Sequence, residues 1–344
     1  MMMMMMTTTT TTMRVTTRVV LKKSSPSSSS STTRLQQRVV ASPRALLFST
    51  AAPTTTIAGP WIDGDGRLCN FTDNQFVPAS ANAPTAYTVR NPATQDVLAT
   101  VPETSTDDFN VMISKAQVAF EEWRTVPVQQ RQRVMGVLQH LIRQHTEQLA
   151  ACITAENGKT LTDARGDVFR GLEVVETAAA NVATYMQGDS LRGLAAGVDC
   201  ISYRRPLGVT AGLCPFNFPA MIPMWMFPLA VTAGNCMVLK PSEKTPATTC
   251  LLAQLAVEAG LPPNVLQIVH GSVPTVQNIC RHPAVRAISF VGSNAAGEWI
   301  ANEGVQHGKR VQANLGAKNH AVILPDAADP NAVVRAVAGA AFGE

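Results

Sequence analysis

No run of apolar residues approaches the ~18 needed to span a bilayer, and the most apolar stretch, 221–231, is short and carries Pro223 and Pro228. A membrane-spanning helix is therefore not expected. The seven cysteines, at 69, 152, 200, 214, 236, 250 and 280, form no CxxC pair and are odd in number. A reduced compartment without structural zinc is the simplest account. The histidines form no HExxH pattern, so no metal site is expected, and no internal repeat is found. Acidic residues are missing from 1–62, which hold seven Lys and Arg, while the remainder carries 21 basic against 24 acidic residues. The formal charge of +4 thus belongs to the leader, and no basic stripe is left in the globular part to favour nucleic acid.

What is present is a 344-residue chain, 46% hydrophobic and 15% charged, long enough for two or more domains and ordinary in composition for a soluble enzyme. Residues 1–56 are low in complexity and rich in Ser, Thr and Arg. This leader resembles an organellar transit peptide, with the mitochondrion favoured and the plastid left open. A disordered tail or a misassigned start are the bland alternatives.

Downstream, Phe109, Met112, Ala116, Ala119, Phe120 and Trp123 keep a helical stripe behind a Ser105/Thr106 cap, predicting a helix over 106–124. A second helix is predicted from about Pro127 to Asn157-Gly158, with Val134, Val137, Leu138, Leu141, Ile142 and Leu149 on one face. From residue 207 the texture changes to short apolar runs, "LGVTAGLCPF", "CMVLK", "VLQIVHG", "AISFVGS" and "AVILP", separated by helical stretches. Such alternation implies βαβ crossovers and a parallel sheet covered on both faces. Residues 188–206 are less apolar and predict an extended excursion between helix and sheet.

Ligands of such sheets lie beyond the carboxyl ends of the strands, so the loops there are the place to search. "CPFNFP" sets Asn217, an uncharged donor able to stabilise an oxyanion, between bulky aromatics and prolines. In isolation a buried loop asparagine is the commoner outcome. "LKPSEK" places Lys240 and Glu243 directly after a strand, where they could hold ribose hydroxyls or form only a solvated turn. "GSNAAG", 292–297, has glycines that let the backbone approach a phosphate near a helix start, but a lone GSxxxG is weak and GxGxxG does not occur at these loops.

Taken together and in this order, "PFNFP", "KPSE", "FVGS" and "LGAKN" resemble the aldehyde dehydrogenase superfamily from about Trp61 to Glu344. "NPAT", "GDVFRGLEVVE", "AISFVGSN" and "HGKRVQANLGAKNH" resemble its methylmalonate-semialdehyde dehydrogenase branch. The resemblance implies an α/β fold: a modified Rossmann NAD-binding domain (57–187 and 207–315), an inserted oligomerisation hairpin (188–206) and the start of a catalytic domain (316–344). It implies NAD as cofactor and coenzyme A as cosubstrate, a small semialdehyde as partner, and a homo-oligomer. Asn217 becomes the oxyanion amide, and Cys214, Phe216, Lys240, Glu243, Lys244, Gly292 and Ser293 the NAD site. Arg170 would take the substrate carboxylate, which a fixed guanidinium fork suits, and Trp225 would wall the substrate tunnel. A surface ion pair with Glu173 or Asp167, and a core position, are their respective alternatives.

Most members of that family present a general-base Glu where this chain has Asn314. An amide cannot carry a proton near neutral pH, so the replacement disfavours water and leaves an acyl group for a thiol. That fits oxidative decarboxylation of methylmalonate or malonate semialdehyde to propionyl-CoA or acetyl-CoA, in valine and pyrimidine breakdown. The family's nucleophilic Cys lies in a "GQRC"-like segment after "GAAFG", and this sequence reads "GAAFGE" up to Glu344. The expectation is an amino-terminal portion of such an enzyme, inactive alone. A noncatalytic NAD-binding or decoy subunit, or another aldehyde dehydrogenase, are the alternatives.

Overall fold

The computed structural model describes residues 57–80, 82–316, 320–327 and 329–342. The expected leader, 1–56, and residues 317–319 of the "LGAKNH" stretch lie outside them.

Two hairpins come first. β1 (Cys69–Thr72) and β2 (Gln75–Pro78) are joined by Asp73 and Asn74, both left-handed at φ 53° and 57°, as a two-residue type I′ turn requires. β3 (Thr85–Arg90) pairs with β4 (Val97–Pro102). Then α1 (Thr106–Trp123) starts where the Ser105 hydroxyl accepts the Asp108 amide at 3.1 Å, and it buries Phe109, Met112, Ala116 and Trp123 as the stripe predicts.

The single second helix expected from the sequence is two: α2 (Val128–Gln144) and α3 (Thr146–Asn157). At the break the Thr146 hydroxyl bonds back to the Ile142 carbonyl at 3.0 Å, competing with the backbone ladder. Val137 is also not on the buried face, being 47% exposed. Leu138, Leu141 and Ile142 take that face, and one residue back along a helix turns a side chain about 100° away. Gly158, at φ 88°, ends α3 in the left-handed conformation, and α4 (Leu161–Tyr185) follows at once. β5 (Ser190–Ala195) and β6 (Val198–Ile201) then form an antiparallel hairpin exposed along its whole length.

The remainder winds a parallel sheet: β7 (Val209–Leu213), α5 (Met221–Thr232), β8 (Cys236–Lys240), α6 (Ala247–Glu258), β9 (Leu266–Ile268), α7 (Val273–Arg281), β10 (Val285–Val291), α8 (Asn294–Gln306) and β11 (Arg310–Asn314). A last helix, α9 (Pro330–Phe342), follows. The strand order is β11-β10-β7-β8-β9-β1-β2, with β1 and β2 added antiparallel. β7, β8 and β9 are buried at every residue because helices cover both faces. Winding runs one way through β7, β8 and β9 and the other way through β10 and β11. Right-handed crossovers therefore put α5 and α6 on one face and α7 and α8 on the other. The apolar stretch 221–231 is α5, which packs against both the sheet and α4 and so is apolar all round.

"AVILP" is not a strand. Residues 321–324 pair with nothing among the described residues, and Val322 is 85% exposed. The partner of β10 is instead "RVQAN", whose alternating burial marks an edge strand with one covered side. Its polar alternation hid it from a search for continuous apolar runs.

Candidate cofactor and active site

Strand register decides which loops are neighbours. Leu213 stands opposite both Lys240 and Phe290, and Val291 stands opposite Asn314. The loops after β8, β7, β10 and β11 therefore lie side by side along the carboxyl edge. Winding reverses between β7 and β10, which opens a crevice at that edge, the usual ligand position in such sheets.

Four helices begin at this edge, and three of their amino ends are filled by carboxylates of the chain itself. Asp167 Oδ1 accepts the Met221 amide at 2.7 Å on α5. Glu156 accepts from Ala247 and Thr248 amides at 2.9 and 3.0 Å, and from the Thr248 hydroxyl at 2.6 Å, on α6. Glu103 accepts from Ser272 and Thr275 amides at 2.8 and 3.0 Å on α7. At α8, among the described residues, only the Ser293 hydroxyl caps, accepting from the Ala296 amide at 3.4 Å. Unpaired N–H groups and the helix dipole attract anions, so α8, next to the switch point, is the amino end left for one. Its glycines have a packing role as well: a Cβ on Gly292 would fall 2.5 Å from the Phe290 ring, and one on Gly297 2.0 Å from Leu315 Cδ2.

At the end of β8, Lys240 is buried, and its Nζ donates to the Pro241 carbonyl at 3.0 Å and to Glu243 Oε2 at 3.4 Å. Burial pushes the ammonium pKa down, and Glu243 opposes this. Glu243 is half-buried at the rim, so its carboxylate is held by one cation while facing solvent. Exposed Lys244 places its ammonium 4.4 Å from the centre of the Phe216 ring. Lys240, Glu243, Lys244 and Phe216 are thus brought together around the β7 and β8 ends.

Cys214 lies beneath them, its amide donating to the Lys240 carbonyl at 3.0 Å. The thiol is buried, which pushes its pKa up to about 12 despite nearby Lys240. A thiol so placed is inert. Asn217 is exposed, against the expectation for an isolated loop asparagine, and its side chain makes no hydrogen bond among the described residues. Its backbone is fixed from behind: Lys159 Nζ donates to the Asn217 carbonyl at 2.6 Å and Asn157 Nδ2 to the Phe216 carbonyl at 2.9 Å. Lys159 stands 3.5 Å from Asp167 Oδ2, both side chains being buried. Burial pushes Asp167 up, with the Met221 amide and Lys159 opposing. Sequence reasoning missed Asn157, Lys159 and Glu156, reading Asn157-Gly158 only as a helix stop. No local signal marks them, because Glu156 and Asn157 close a helix and only Lys159 and Thr160 stand before the next apolar residue.

Arg170 lies one turn past Asp167 on α4, and Trp225 one turn past Met221 on α5, where Gly171 lets the helices touch. Both are exposed, and Arg170 makes no ion pair among the described residues. The alternative pairing with Asp167 fails because Lys159 and Met221 occupy that carboxylate. Neither Arg170 nor Trp225 hydrogen-bonds to Asn217. Asn314 is exposed at the end of β11, and its carbonyl accepts the Gly292 amide at 3.1 Å. A groove of about 520 Å³ between α1 and Pro262-Pro263 lies at the amino ends of the strands, away from all these loops.

The model of the aldehyde dehydrogenase family matches residues 77–344. The mitochondrial acylating methylmalonate-semialdehyde dehydrogenase of Arabidopsis thaliana is 51% identical over 277 residues, 80% of this chain and 45% of the relative. Its methylmalonate/malonate counterpart in Homo sapiens is 49% identical over 255 residues, 74% of this chain and 47% of the relative. Among solved structures, a methylmalonate-semialdehyde dehydrogenase of Sinorhizobium meliloti complexed with NAD superposes with a TM-score of 0.76 at 38% identity, covering 80% of this chain and 55% of that one. One from Oceanimonas doudoroffii gives 0.75 at 41% identity, with the same coverage. The chain spans about half the length of the curated relatives it matches.

Proposed function

The chain belongs to the aldehyde dehydrogenase family, and from that premise we propose that it is the cofactor-binding portion of an NAD- and coenzyme A-dependent methylmalonate- or malonate-semialdehyde dehydrogenase. The observation that carries the reading is the carboxyl edge itself: a carboxylate and an ammonium at Glu243 and Lys240, and at the same edge a helix start that no carboxylate fills among the described residues. These residues fit a dinucleotide. Glu243 would accept from the adenosine ribose hydroxyls, Phe216 and Cys214 would line the cofactor, and Gly292 and Ser293 would face its diphosphate. When bound, NAD supplies the hydride acceptor.

The other groups act on the substrate. Asn217 presents a neutral amide donor where an oxyanion would form, and its fixed backbone removes the cost of reorganising it. Arg170, without an ion pair of its own, would hold the substrate carboxylate, and Trp225 would wall its approach. Asn314 replaces a general base by a group that cannot take a proton, favouring transfer of the acyl group to coenzyme A over hydrolysis. The proposed division has a cofactor domain of 57–187 and 207–315, a catalytic segment from 316, and the exposed hairpin 188–206 for homo-oligomer contacts. Mitochondrial import by the basic leader accords with the mitochondrial relatives.

A second reading is favoured by one observation: no thiol of this chain is placed to attack an aldehyde at Asn217, since Cys214 is buried and Cys200 lies on the hairpin. On that reading the 344-residue chain alone is a noncatalytic NAD-binding module. Calorimetry with NAD, together with an assay for semialdehyde-dependent NADH formation, separates the cases. Binding without NADH formation is expected of this chain. Absence of NAD binding in the folded protein would reject both readings.

A further inference from the structure

Lys159 is the least expected participant in the site. It follows a left-handed glycine, Gly158, in the turn between α3 and α4, and a Cβ at Gly158 would fall 3.1 Å from Pro92 Cγ in a conformation that side chains already resist. From that turn its ammonium reaches the Asn217 carbonyl at 2.6 Å, sits 4.3 Å from the centre of the Phe218 ring, and stands 3.5 Å from Asp167. Asp167 also holds the Met221 amide at 2.7 Å, and Asn157 the Phe216 carbonyl at 2.9 Å. Three side chains from one short stretch therefore grip the Asn217 loop at its start, middle and end.

All peptide bonds described are trans. With the 217 carbonyl drawn to Lys159, planarity turns the Phe218 N–H to the opposite side. Neither that N–H nor the Asn217 amide side chain has a hydrogen-bond partner among the described residues. The 216 and 217 carbonyls are thus held on one side, while the Phe218 N–H and the Asn217 amide are left unused on the other, the arrangement a preorganised donor site needs. Burying an ammonium is tolerable only with a partner present, and Asp167 is the buried carboxylate that stands beside it.

We propose that Lys159 is a positioning residue for Asn217, fixing the 217–218 peptide so that its donors face the reacting group. The proposal rests on the assignment of Asn217 as the oxyanion amide. Limited proteolysis of the 344-residue chain with chymotrypsin reads the anchor directly, because Phe216 is exposed and the cleavable bond after it lies inside the gripped loop. Lys159→Met should speed cleavage after Phe216 at least tenfold, and Lys159→Arg should stay within threefold of the unmodified protein. Because Lys159→Met strands a buried carboxylate, Lys159→Met with Asp167→Asn is the second variant. It should recover most of the lost thermal stability yet keep that cleavage fast. Unchanged cleavage after Phe216 in the double variant, or equal acceleration at sites outside 214–220, overturns the proposal. The oxyanion role of Asn217 is read separately, as loss of turnover in Asn217→Ala when residues 57–344 are joined to the remaining length of the Arabidopsis relative, which separates the two ideas.

Discussion

The Glu156 carboxylate and the Thr248 hydroxyl stand 2.6 Å apart across 92 residues of sequence, deep between α3 and α6. Three donors hold this carboxylate, yet full burial dominates and pushes its pKa from the ordinary 4.5 up to about 7. The same α3–α4 junction then supplies Asn157 and Lys159 to the Asn217 loop, so one turn of chain fixes both the start of α6 and the site.

A pH dependence follows. A carboxylic acid whose pKa is raised on folding binds its proton more tightly in the native state, so stability is present below about pH 4.5 and is lost as pH rises to about 7. The shift corresponds to a loss on the order of 3 kcal/mol across that window. Buried His270, held down to about 3, acts in the opposite sense up to about pH 6.5, so Glu156 is read by difference: from pH 5 to 8 the thermal midpoint of Glu156→Gln should rise relative to that of the unmodified chain. Parallel slopes for the two proteins would remove Glu156 as the cause.

Glu243 is predicted to carry cofactor affinity. Its carboxylate is oriented by Lys240 at 3.4 Å and remains open at the rim. Loss of hydrogen bonds from a charged group costs ~1–3 kcal/mol, so Glu243→Ala should weaken NAD binding by roughly 5- to 150-fold. Calorimetry at fixed salt checks this, and an unchanged Kd would reject the ribose assignment.

Thiol chemistry gives a third test. Burial pushes the Cys214 and Cys236 thiols up to about 12 and Cys69 and Cys280 up to about 11, and raises Cys152 and Cys250 well above the ordinary thiol value. Cys200 alone is exposed. Brief iodoacetamide treatment of the folded chain at pH 8 should therefore label Cys200 and leave Cys214 unlabelled by peptide mapping. Rapid labelling of Cys214 would restore it as a candidate nucleophile.

The parts of the site that could be read in advance are those written locally. Lys240, Glu243 and Asn217 follow apolar runs whose burial on both sides makes them strands, so their place at the carboxyl edge comes from pattern alone. β11 escaped because an edge strand alternates polar residues, and the break at His145 escaped because Thr146 acts through a backbone contact that periodicity does not register. Lys159, Asp167 and Glu156 could not be assigned roles for a different reason. Their partners lie 58, 54 and 92 positions away, and nothing in a linear pattern says which distant carbonyl or helix start a buried charge will meet.

Asn314 carries the last prediction. Its backbone is fixed beside the loop after β10, the carbonyl accepting the Gly292 amide at 3.1 Å, while its side chain is exposed with no partner among the described residues. A residue so held can present either an amide or a carboxylate at one place. To supply a nucleophile, residues 57–344 can be joined to the remaining length of the Arabidopsis relative. With Asn314 in place, semialdehyde-dependent NADH formation should need coenzyme A, because no group there can accept a proton from water. General-base catalysis is worth ~10²–10⁴-fold when fully aligned, so even an imperfectly placed carboxylate in Asn314→Glu should raise CoA-independent turnover at least ~10-fold. Measuring NADH with and without coenzyme A in both proteins decides it: fast CoA-independent turnover with Asn314 intact would show that water is activated by some other residue.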